Sequence, residues 1–555
     1  MYTNLINVQI IISLLKQYNI KHLVLSPGTR NAPLVHSIET DPFFTCYSIV
    51  DERSAAYFAL GLSEAIGEPV GFSCTSSTAA CNYLPAIQEA YERKIPLIAL
   101  TADRDWRRLY QMEDQMIDQV NMYTGYVKKS VNLPIVKDSD DVWFCERSVN
   151  EALLELERAE TGPIQINFQV SNMGDYSVQE LPKYRKINRI RNIDSLEIEE
   201  YYRSELKAKS KILVICGQHY SAASNLKEQL EIFSDKYNAV VSYDYFSNIQ
   251  SDRFLKTVLV TEAMDSRELE EYLPDLVITI GLHVWSFIKY KLQRYAGKFE
   301  HWSVSPNGEI KDGLKSLTNI FECEPEIFFQ KMNNTNSVTD GIGYYDLWKK
   351  RIDTVKYPDF GFTNFYIISE FTKRIPKDSL LHLSILNAVR LTNFNTIPEP
   401  VITFGNLGAD GIDGALSTFL GQSSVHEKLS FLVIGDLSFM YDLNATLMNL
   451  RSNQRILLIN NFAGAEFHTN FGLEKMPTLN QHIAASHSTR FADWVEMMNV
   501  DYLSARNPQE LDVALTQFVK PDNRPILLEV FTDADTDAKT LKAFYALNRR
   551  QENQA

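Results

Sequence analysis

An acidic residue and two amides stand at the ends of two neighbouring apolar runs. The run LSFLVIG (429–435) leads directly into Asp436, and RILLINN (455–461) ends on two asparagines, the second of which is Asn461. In an open parallel sheet, ligands bind at the carboxyl ends of the strands. Carboxylate and amide oxygens suit Mg²⁺, and a helix after the first strand would offer backbone N–H groups to a phosphate. The pattern predicts a metal–diphosphate site; an ordinary turn with a helix cap is the alternative.

The elements that must position these residues follow from a repeated alternation of short apolar runs with helical patterns. Such alternation is typical of parallel sheets covered by helices, and we therefore expect an α/β protein. The predicted strands are HLVLS (22–26), VGFSC (70–74), PLIALTA (96–102), KILVICG (211–217), DLVITIG (275–281), PVITFG (400–405), LSFLVIGD (429–436), RILLINN (455–461) and PILLEVF (525–531).

Two polar stretches, 183–210 and 332–345, interrupt this alternation. A chain of this length is expected to divide into about three domains. We therefore predict three doubly wound parallel-sheet domains, and the first and third are candidates for distant relatives of each other. The N-terminal segment lacks the features of a signal peptide and predicts an amphipathic helix that starts near Thr3 or Asn4. The predicted boundaries are 1–182, 190–335 and 345–555.

Composition limits the classes of function. The 555 residues carry a net charge of −15, which argues against general binding of nucleic acid or of an anionic membrane. No stretch approaches the roughly 18 apolar residues of a membrane span. The six cysteines show no CxxC spacing, so we expect mostly buried thiols in a reducing cytoplasm. They are Cys46, Cys74, Cys81, Cys145, Cys216 and Cys323.

Residues 435–461 resemble the thiamine-diphosphate (ThDP) signature of 2-oxo acid decarboxylases and lyases, in which GD is followed a little over twenty residues later by NN. The continuation GDLSFMYDLN is similar to one branch, the SEPHCHC synthase (MenD) family of menaquinone biosynthesis. The resemblance implies pyrimidine, middle and diphosphate domains, with ThDP and Mg²⁺ or Mn²⁺ as cofactors. It implies Asp436 and Asn461 as side-chain metal ligands, with a backbone carbonyl near Ala463. Further cofactor contacts would come from Gly435, Leu437 and Ser438.

The first block carries a second part of the resemblance. Residues 48–104 are similar to the pyrimidine domain of the family almost throughout, and DERSA implies Glu52 as the carboxylate that activates the cofactor. A helix that merely opens with acidic residues is the alternative for this position. Asn82, after the TAAC turn, is expected near the pyrimidine edge. In GADGIDGALST (408–418), Ile412 is expected to be the apolar residue that holds ThDP in its bent shape.

The implied reaction is decarboxylation of a 2-oxo acid and transfer of the resulting acyl carbanion to an acceptor. In the family, the donor is 2-oxoglutarate and the acceptor is isochorismate, so the pocket needs several cations. Surface ion pairing is the alternative for the arginines among the candidates. The positions that correspond to substrate-contacting residues of the family are Thr29, Arg30, Arg104, Gln115 and Arg390.

Other positions depart from the family pattern. Leu407 replaces an expected Arg, Leu386 replaces a Ser, and Phe287-Ile288 replaces a Lys-Arg pair, for which Lys289 or Lys291 would have to substitute. Glu466 occupies an apolar pocket position. Close charge pairs are worth about 4 kcal/mol at an effective dielectric near 20, so these changes disfavour a dicarboxylate donor. Glu466 or the nearby His468 would then donate a proton or contact a hydroxyl or amine; a loop histidine without a role is the alternative for His468.

Three functions therefore remain open. They are SEPHCHC synthase itself, a paralogue with a less acidic donor or another acceptor in a sugar or secondary-metabolite pathway, and a non-catalytic binding or regulatory subunit. Ser77 in place of a family Gly, with Phe462 and Ala463 in the metal loop, leaves room for the last. The joint retention of Glu52, Asp436 and Asn461 argues against it. We expect a cytoplasmic homodimer or homotetramer with active sites at the subunit interface.

Overall fold

Three parallel β-sheets, each accompanied by helices, form the architecture. The computed structural model describes residues 1–158, 160–184, 186, 200–219, 224–285, 288–307, 311, 313–334, 343–469 and 472–550. All pairings between its named strands are parallel. The predicted α/β class with doubly wound parallel sheets is thus confirmed.

The first sheet has six strands in the order β2-β1-β3-β4-β6-β5. Its strands are β1 (His22–Leu25), β2 (Thr45–Ser48), β3 (Val70–Cys74), β4 (Leu97–Asp103), β5 (Lys129–Leu133) and β6 (Ile164–Gln169). The helices of this block are α1 (Ile6–Gln17), α2 (Ala32–Glu39), α3 (Glu52–Ile66), α4 (Thr78–Cys81), α5 (Leu84–Arg93) and α6 (Ser139–Glu155). Helix α1 begins later than predicted, since the backbone N–H of the buried Thr3 donates to the Ser37 hydroxyl (2.9 Å) instead of opening a helix.

The second sheet has five strands in the order β11-β10-β9-β7-β8. Its strands are β7 (Ile212–Cys216), β8 (Val240–Tyr243), β9 (Leu276–Ile280), β10 (Glu300–Val304) and β11 (Leu317–Phe321). The accompanying helices are α7 (Glu200–Lys207), α8 (Ser224–Tyr237), α9 (Val258–Thr261), α10 (Ser266–Glu271), α11 (Ile288–Leu292) and α12 (Pro325–Asn333).

The third sheet has six strands in the order β13-β12-β14-β15-β17-β16. Its strands are β12 (Ser379–Leu383), β13 (Val401–Phe404), β14 (Ser430–Gly435), β15 (Gln454–Asn460), β16 (Asp501–Ala505) and β17 (Ile526–Phe531). The helices of this block are α13 (Tyr344–Asp353), α14 (Asn364–Thr372), α15 (Asn387–Phe394), α16 (Ala415–Ser423), α17 (Asp436–Tyr441), α18 (Ala492–Met497), α19 (Pro508–Phe518) and α20 (Ala534–Leu547). Strand for strand, this order repeats that of the first sheet.

The sheets occupy separate stretches of the chain, 22–169, 212–321 and 379–531. Each stretch lies inside one of the predicted domains. The domain boundaries themselves stay predictions, and two of them, at 190 and 335, lie outside the described residues.

Helices α3 and α16 join the first block to the third through an unusually close crossing. A Cβ placed on Gly61 would lie 2.0 Å from the backbone oxygen of Thr418, and one on Gly421 would lie 2.2 Å from the backbone oxygen of Phe58. No side chain fits at either distance, so glycine is required on both helices.

A buried carboxylate adds a polar link between the same two blocks. Glu89 on α5 accepts hydrogen bonds from the backbone N–H groups of Gly408 (3.0 Å) and Ala409 (2.6 Å). Arg93 forms an ion pair with Glu64 and donates to the Asn406 side chain (2.9 Å). These contacts hold the loop after β13, which leads to the predicted cofactor contact Ile412.

All six cysteines are free thiols, and four of them are buried. Cys46 and Cys81 are exposed. Among the helices described, none is long and apolar enough to cross a membrane.

Candidate active site

The carboxyl ends of β14 and β15 bring the predicted metal ligands to one edge of the third sheet. The two strands are direct neighbours, with Gly435 opposite Ile459 in the register. Asp436 is only 3% exposed. Its carboxylate accepts hydrogen bonds from the backbone N–H groups of Leu437 (2.7 Å) and Phe462 (2.6 Å). The Asp436 side chain therefore connects the backbone segments that follow β14 and β15.

Asn461 is oriented by a buried acid of helix α20. Its amide donates to Asp537 (3.2 Å), while its side-chain oxygen accepts from the backbone N–H of Ala463 (3.3 Å). Asp537 also accepts from the backbone N–H of Asn364 (2.9 Å) and the Thr532 hydroxyl (2.8 Å), and burial raises its pKa to about 6. The sequence prediction missed Asp537, because nothing in TDADTDAKT distinguishes the aspartate that faces inward.

The loop after β15 is shaped by Phe462, which adopts a positive φ of 63°. Its ring stacks on Phe531, with the centroids 5.9 Å apart. Its backbone oxygen accepts from the backbone N–H of His487 (2.9 Å), and the His487 ring nitrogen Nε2 lies 3.3 Å from Asp436 Oδ2. The loop therefore accommodates Phe462 without displacing the predicted metal ligand Asp436. His487 is a neighbour of Asp436 that the sequence prediction missed.

A cleft with a cavity volume of about 190 Å³ opens beside this edge. All the residues that line it lie between positions 364 and 467. The Ser438 hydroxyl donates to the backbone oxygen of Ile412 (2.5 Å), which connects the loop before α16 to the start of α17. The predicted cofactor and metal positions in its wall are Ile412, 435–438, Asn461 and Ala463.

Glu466, which the sequence predicts as a substrate contact, lies in the wall of the same cleft and pairs with Arg390. Two hydrogen bonds join the guanidinium to the carboxylate, at 2.7 and 2.8 Å, and Arg390 also donates to the side chain of Asn387 (2.7 Å). Arg390 is 3% exposed and Glu466 is 8% exposed. Burial opposes the charge of Arg390, but the hydrogen bonds to Glu466 and the negative charges around the guanidinium together outweigh it and raise the pKa of Arg390. Glu466 therefore separates Arg390 from the cleft.

His468 follows on the same short 3₁₀ turn as Glu466. It is 7% exposed, and its Nδ1 lies 2.6 Å from Asp535 Oδ1. The structure thus gives His468 an acidic partner on α20, and its role toward a substrate stays a prediction.

This chain has apolar side chains at the positions where the family pattern has polar or cationic residues. Leu386 lines the cleft, whereas Leu407 and Ile288 are buried in the hydrophobic core. Phe287 lies outside the described residues. Lys291 does not substitute for the expected cations, because its ammonium donates to the backbone oxygens of Glu262 and Met264, at 3.0 and 2.7 Å.

Lys289 faces a second acid of the cleft region, Asp410. Burial raises the pKa of Asp410, the positive charge of Lys289 opposes this, and the negative charge of Glu466 adds to it. Asp410 therefore lies within electrostatic reach of both Lys289 and Glu466. Asp410 was not singled out from the sequence, although GADG differs there from the family's GASG.

The predicted residues of the first block lie elsewhere. Glu52 is the first residue of α3, after Asp51, whose carboxylate caps the helix by accepting from the backbone N–H of Ser54 (2.8 Å). Burial raises the pKa of the half-buried Glu52. Asn82 is exposed at the end of α4 and donates to the backbone oxygen of Thr78 (3.2 Å). A single chain therefore forms the metal edge without these two side chains in the cleft wall.

The predicted substrate residues of the first block form a separate basic group. Arg30 and Arg104 interact electrostatically: burial and then the positive charge of Arg104 lower the pKa of Arg30. Arg104 pairs with Glu113 (3.3 Å). Thr29 and Gln115 are exposed on the adjoining turns. Arg30 and Arg104 therefore lie near each other, and none of the four residues lines the cleft of the third block.

Ser77, which stands where the family pattern has a glycine, adopts a backbone conformation that favours glycine. Its φ is 74°, and its backbone N–H donates to the Gln119 side chain (2.7 Å). The substitution therefore leaves the turn before α4 in a glycine-like shape.

Comparisons with known proteins decide the family. Residues 7–122 match the family described as thiamine pyrophosphate enzyme, N-terminal TPP binding domain. Over 561 residues the chain is 36% identical to the 2-succinyl-5-enolpyruvyl-6-hydroxy-3-cyclohexene-1-carboxylate (SEPHCHC) synthase of Bacteroides thetaiotaomicron, with 98% of this chain and 99% of the relative covered. The chain belongs to the SEPHCHC synthase family.

Other similar proteins agree. The SEPHCHC synthase of Flavobacterium johnsoniae is 30% identical over 558 residues and covers the same shares of the two chains, 98% and 99%. A crystal structure of benzoylformate decarboxylase from Polynucleobacter necessarius matches 96% of this chain and 99% of its own, with a TM-score of 0.72 at 16% identity. The latter supports the fold alone.

Membership in the SEPHCHC synthase family makes the chain a ThDP enzyme that uses a divalent metal ion. The residues present fit these cofactors. Asp436 and Asn461 offer one carboxylate and one amide oxygen beside the Ala463 backbone, and Mg²⁺ takes such oxygen ligands. Within the described ranges no group of three or more His, Cys, Asp or Glu residues is arranged to hold a metal. The predicted set contains only one such residue, so this finding does not count against it.

Proposed function

We propose that the chain catalyses ThDP-dependent decarboxylation of a 2-oxo acid and transfers the resulting acyl unit to an acceptor. The observation that carries this proposal is the meeting of Asp436 and Asn461 at one sheet edge over a cleft. It occurs in a chain that matches SEPHCHC synthases over 98% of its length. The reaction type is that of its relatives.

The diphosphate end of the cofactor belongs at the edge of the third sheet. Asp436, Asn461 and the backbone oxygen of Ala463 would hold the metal ion, and residues 435–438 would lie beside the diphosphate. Ile412, which also lines the cleft, would support the bent cofactor. When bound, ThDP supplies an electron sink for the electron pair released as CO₂ leaves.

Glu52 and Asn82 would serve the pyrimidine end. A carboxyl whose pKa is raised by burial holds a proton more readily near neutral pH, which suits a hydrogen bond to the ring nitrogen of the cofactor. In the reaction, the bond between C1 and C2 of the 2-oxo acid breaks and CO₂ departs. The former carbonyl carbon then bonds to an acceptor carbon, and a proton completes the acceptor. Arg30 and Arg104 are suited to orient substrate carboxylates.

A second copy of the chain would bring Glu52 to the cleft, so we propose a homodimer as the minimal active unit. Exposed apolar side chains support this assignment. Val50, Tyr441 and Leu447 are 75%, 56% and 65% exposed, and the backbone oxygen of Tyr441 accepts a hydrogen bond from Arg53, which follows Glu52 in the chain. Such surface is typical of a subunit interface.

We also propose a domain division at 1–182, 190–335 and 345–555 and a cytoplasmic location. The domain division is supported by the three sheets, each of which occupies one continuous stretch of the chain. The cytoplasmic location is supported by the six free thiols, since disulfides are rare in a reducing compartment.

Calorimetric titration with ThDP and Mg²⁺ tests the cofactor assignment, followed by single-turnover release of CO₂ from carboxyl-labelled 2-oxo acids. We expect binding that requires the metal, and CO₂ release that requires both cofactors. Binding without CO₂ release from any donor would favour a non-catalytic subunit. Formation of SEPHCHC from 2-oxoglutarate and isochorismate would identify the reaction of the named relatives.

A further inference from the structure

We propose that the donor of this enzyme is a small 2-oxo acid with an uncharged side chain, such as pyruvate or 2-oxobutyrate, because the ion pair between Glu466 and Arg390 closes the cleft to a second carboxylate. This inference rests on the proposed function and specifies its donor. Three features of the cleft, all formed by side chains of a single chain, support it.

The first feature is the geometry of the pair. Both terminal nitrogens of the Arg390 guanidinium donate to Glu466, and one of them also donates to Asn387. Glu466 lines the cleft, and Arg390 lies behind it. A distal carboxylate of a dicarboxylate donor would have to displace Glu466 in order to reach the arginine. That exchange would leave the Glu466 charge buried without its partner, which is costly.

The second feature is the charge balance. Glu466 already neutralises Arg390, since the two side chains are joined at 2.7 Å, and Asp410 lies within electrostatic reach of Glu466. A further carboxylate placed beside Glu466 would meet a like charge. At an effective dielectric near 20, each close like-charge pair weakens binding by up to about a thousandfold. An uncharged side chain meets no such opposition.

The third feature is the apolar part of the cleft wall. Ile368, Ile385, Leu386 and Ala388 all line the cleft. Burial of a methyl or ethyl group against such apolar side chains favours binding by about fourfold per CH₂ in general. They offer no hydrogen bond to a carboxylate. The wall therefore fits a short aliphatic side chain.

Single-turnover CO₂ release tests the donor class without an acceptor. The protein, saturated with ThDP and Mg²⁺, is mixed with limiting carboxyl-labelled pyruvate, 2-oxobutyrate or 2-oxoglutarate. We expect the second-order rate constant for the better monocarboxylate to exceed that for 2-oxoglutarate by at least about a hundredfold. A wild-type protein that prefers 2-oxoglutarate would overturn the inference and leave the proposed function intact.

The variant Glu466→Gln tests the cause of the preference. It keeps the shape of the side chain and uncovers the charge of Arg390, so we expect use of 2-oxoglutarate to rise by at least about tenfold. The gain should appear as a lower half-saturating concentration of 2-oxoglutarate. The limiting rate should stay the same, because the reacting atoms are unchanged. The double variant Glu466→Gln/Arg390→Met, which removes both charges, should lose this gain. Glu496→Gln, at an exposed acid of α18, should behave as the wild type.

The outcomes separate the two levels of proposal. CO₂ release from no 2-oxo acid, despite bound ThDP and Mg²⁺, would overturn the proposed function itself. A wild-type preference for monocarboxylates with no gain in Glu466→Gln would overturn the role of the ion pair. Should Glu466→Gln fail to fold, as circular dichroism would reveal, the wild-type donor ratio alone decides the donor class.

Discussion

At the scale of single residues, buried carboxylates organise the backbone around the cleft. Asp436 accepts two backbone N–H groups, one beyond each of two strands. A carboxylate has about four lone-pair sites, so these two bonds leave capacity for a cation. Asp537 holds the Asn461 amide by its nitrogen, which directs the amide oxygen away from Asp537. The same side chains therefore serve the fold and the proposed metal site.

Asp436→Asn tests the metal site. The amide keeps one acceptor oxygen but loses the negative charge, so we expect the affinity for ThDP in the presence of Mg²⁺ to fall by about 10- to 100-fold. Calorimetric titration at fixed Mg²⁺ measures the change. Asp493→Asn, at an exposed acid in the first turn of α18, is the matched control and should bind as the wild type. Equal affinities of the two variants would contradict the assignment of Asp436.

His382 on β12 predicts a pH dependence of stability. It is fully buried, its Nδ1 lies 2.8 Å from the Gln422 side-chain oxygen, and burial lowers its pKa to about 3. An unfolded histidine has a pKa near 6.5. Between these values the unfolded chain binds more protons, so the contribution of His382 is full above pH 6.5 and is lost as the pH falls. From pH 7 to pH 5 the loss is about 2 kcal/mol.

The variant His382→Gln isolates this contribution. Buried acids with raised pKa values, such as Glu64 (about 7) and Asp442 (about 6), act in the opposite direction but are common to both proteins. We expect Tm to fall less in His382→Gln than in the wild type when the pH is lowered from 7 to 5. His482→Gln, at an exposed histidine, should follow the wild type. Parallel pH profiles for all three proteins would rule out a role for His382.

At the scale of elements, apolar runs predict the central strands, and polar or exposed strands escape prediction. The runs at β3, β14 and β15 are buried along nearly their whole length. Strand β2 (TCYS) is a largely exposed edge strand and so has no apolar run. Strand β6 is central but reads IQINFQ; its amides Gln165 and Asn167 bond to Thr101 inside the sheet. Burial of polar side chains is possible there because their partners come from the neighbouring strand.

The crossing of α3 and α16 predicts a strong effect of a single methyl group. In Gly61→Ala, the new Cβ would lie 2.0 Å from the Thr418 backbone oxygen, so the helices must separate. Overpacking of this kind costs about 1–3 kcal/mol or more, and we expect a clear loss of Tm in thermal unfolding. Gly313→Ala is the control, because its Cβ would meet nothing within 4 Å. An unchanged Tm in Gly61→Ala would show that the crossing is looser than described.

At the scale of the whole molecule, the first and third blocks repeat one strand order, and each holds one half of the predicted site. The meeting of Asp436 and Asn461 at one sheet edge was predictable, because both residues lie in short contiguous motifs at strand ends. The pairing of Arg390 with Glu466 was not, since these residues are 76 positions apart. Only the packing of α15 against the loop after β15 brings them together. A departure from a motif, such as Glu466, indicates that a pocket has changed. The contacts of the changed residue in the structure show what the change does to the pocket.

Subunit mixing tests whether two chains build each active site. Glu52→Gln and Asp436→Asn should each abolish most CO₂ release, since one lacks the proton-holding acid and the other the metal ligand. In a heterodimer with one chain of each kind, one site combines the intact Glu52 with the intact Asp436, and the other site contains both substitutions. We therefore expect a heterodimer purified through two different tags to recover about half of the wild-type activity. The homodimers of each variant, mixed after folding without exchange, are the control. Activity that stays at the level of the homodimers would mean that Glu52 serves the cleft of its own chain.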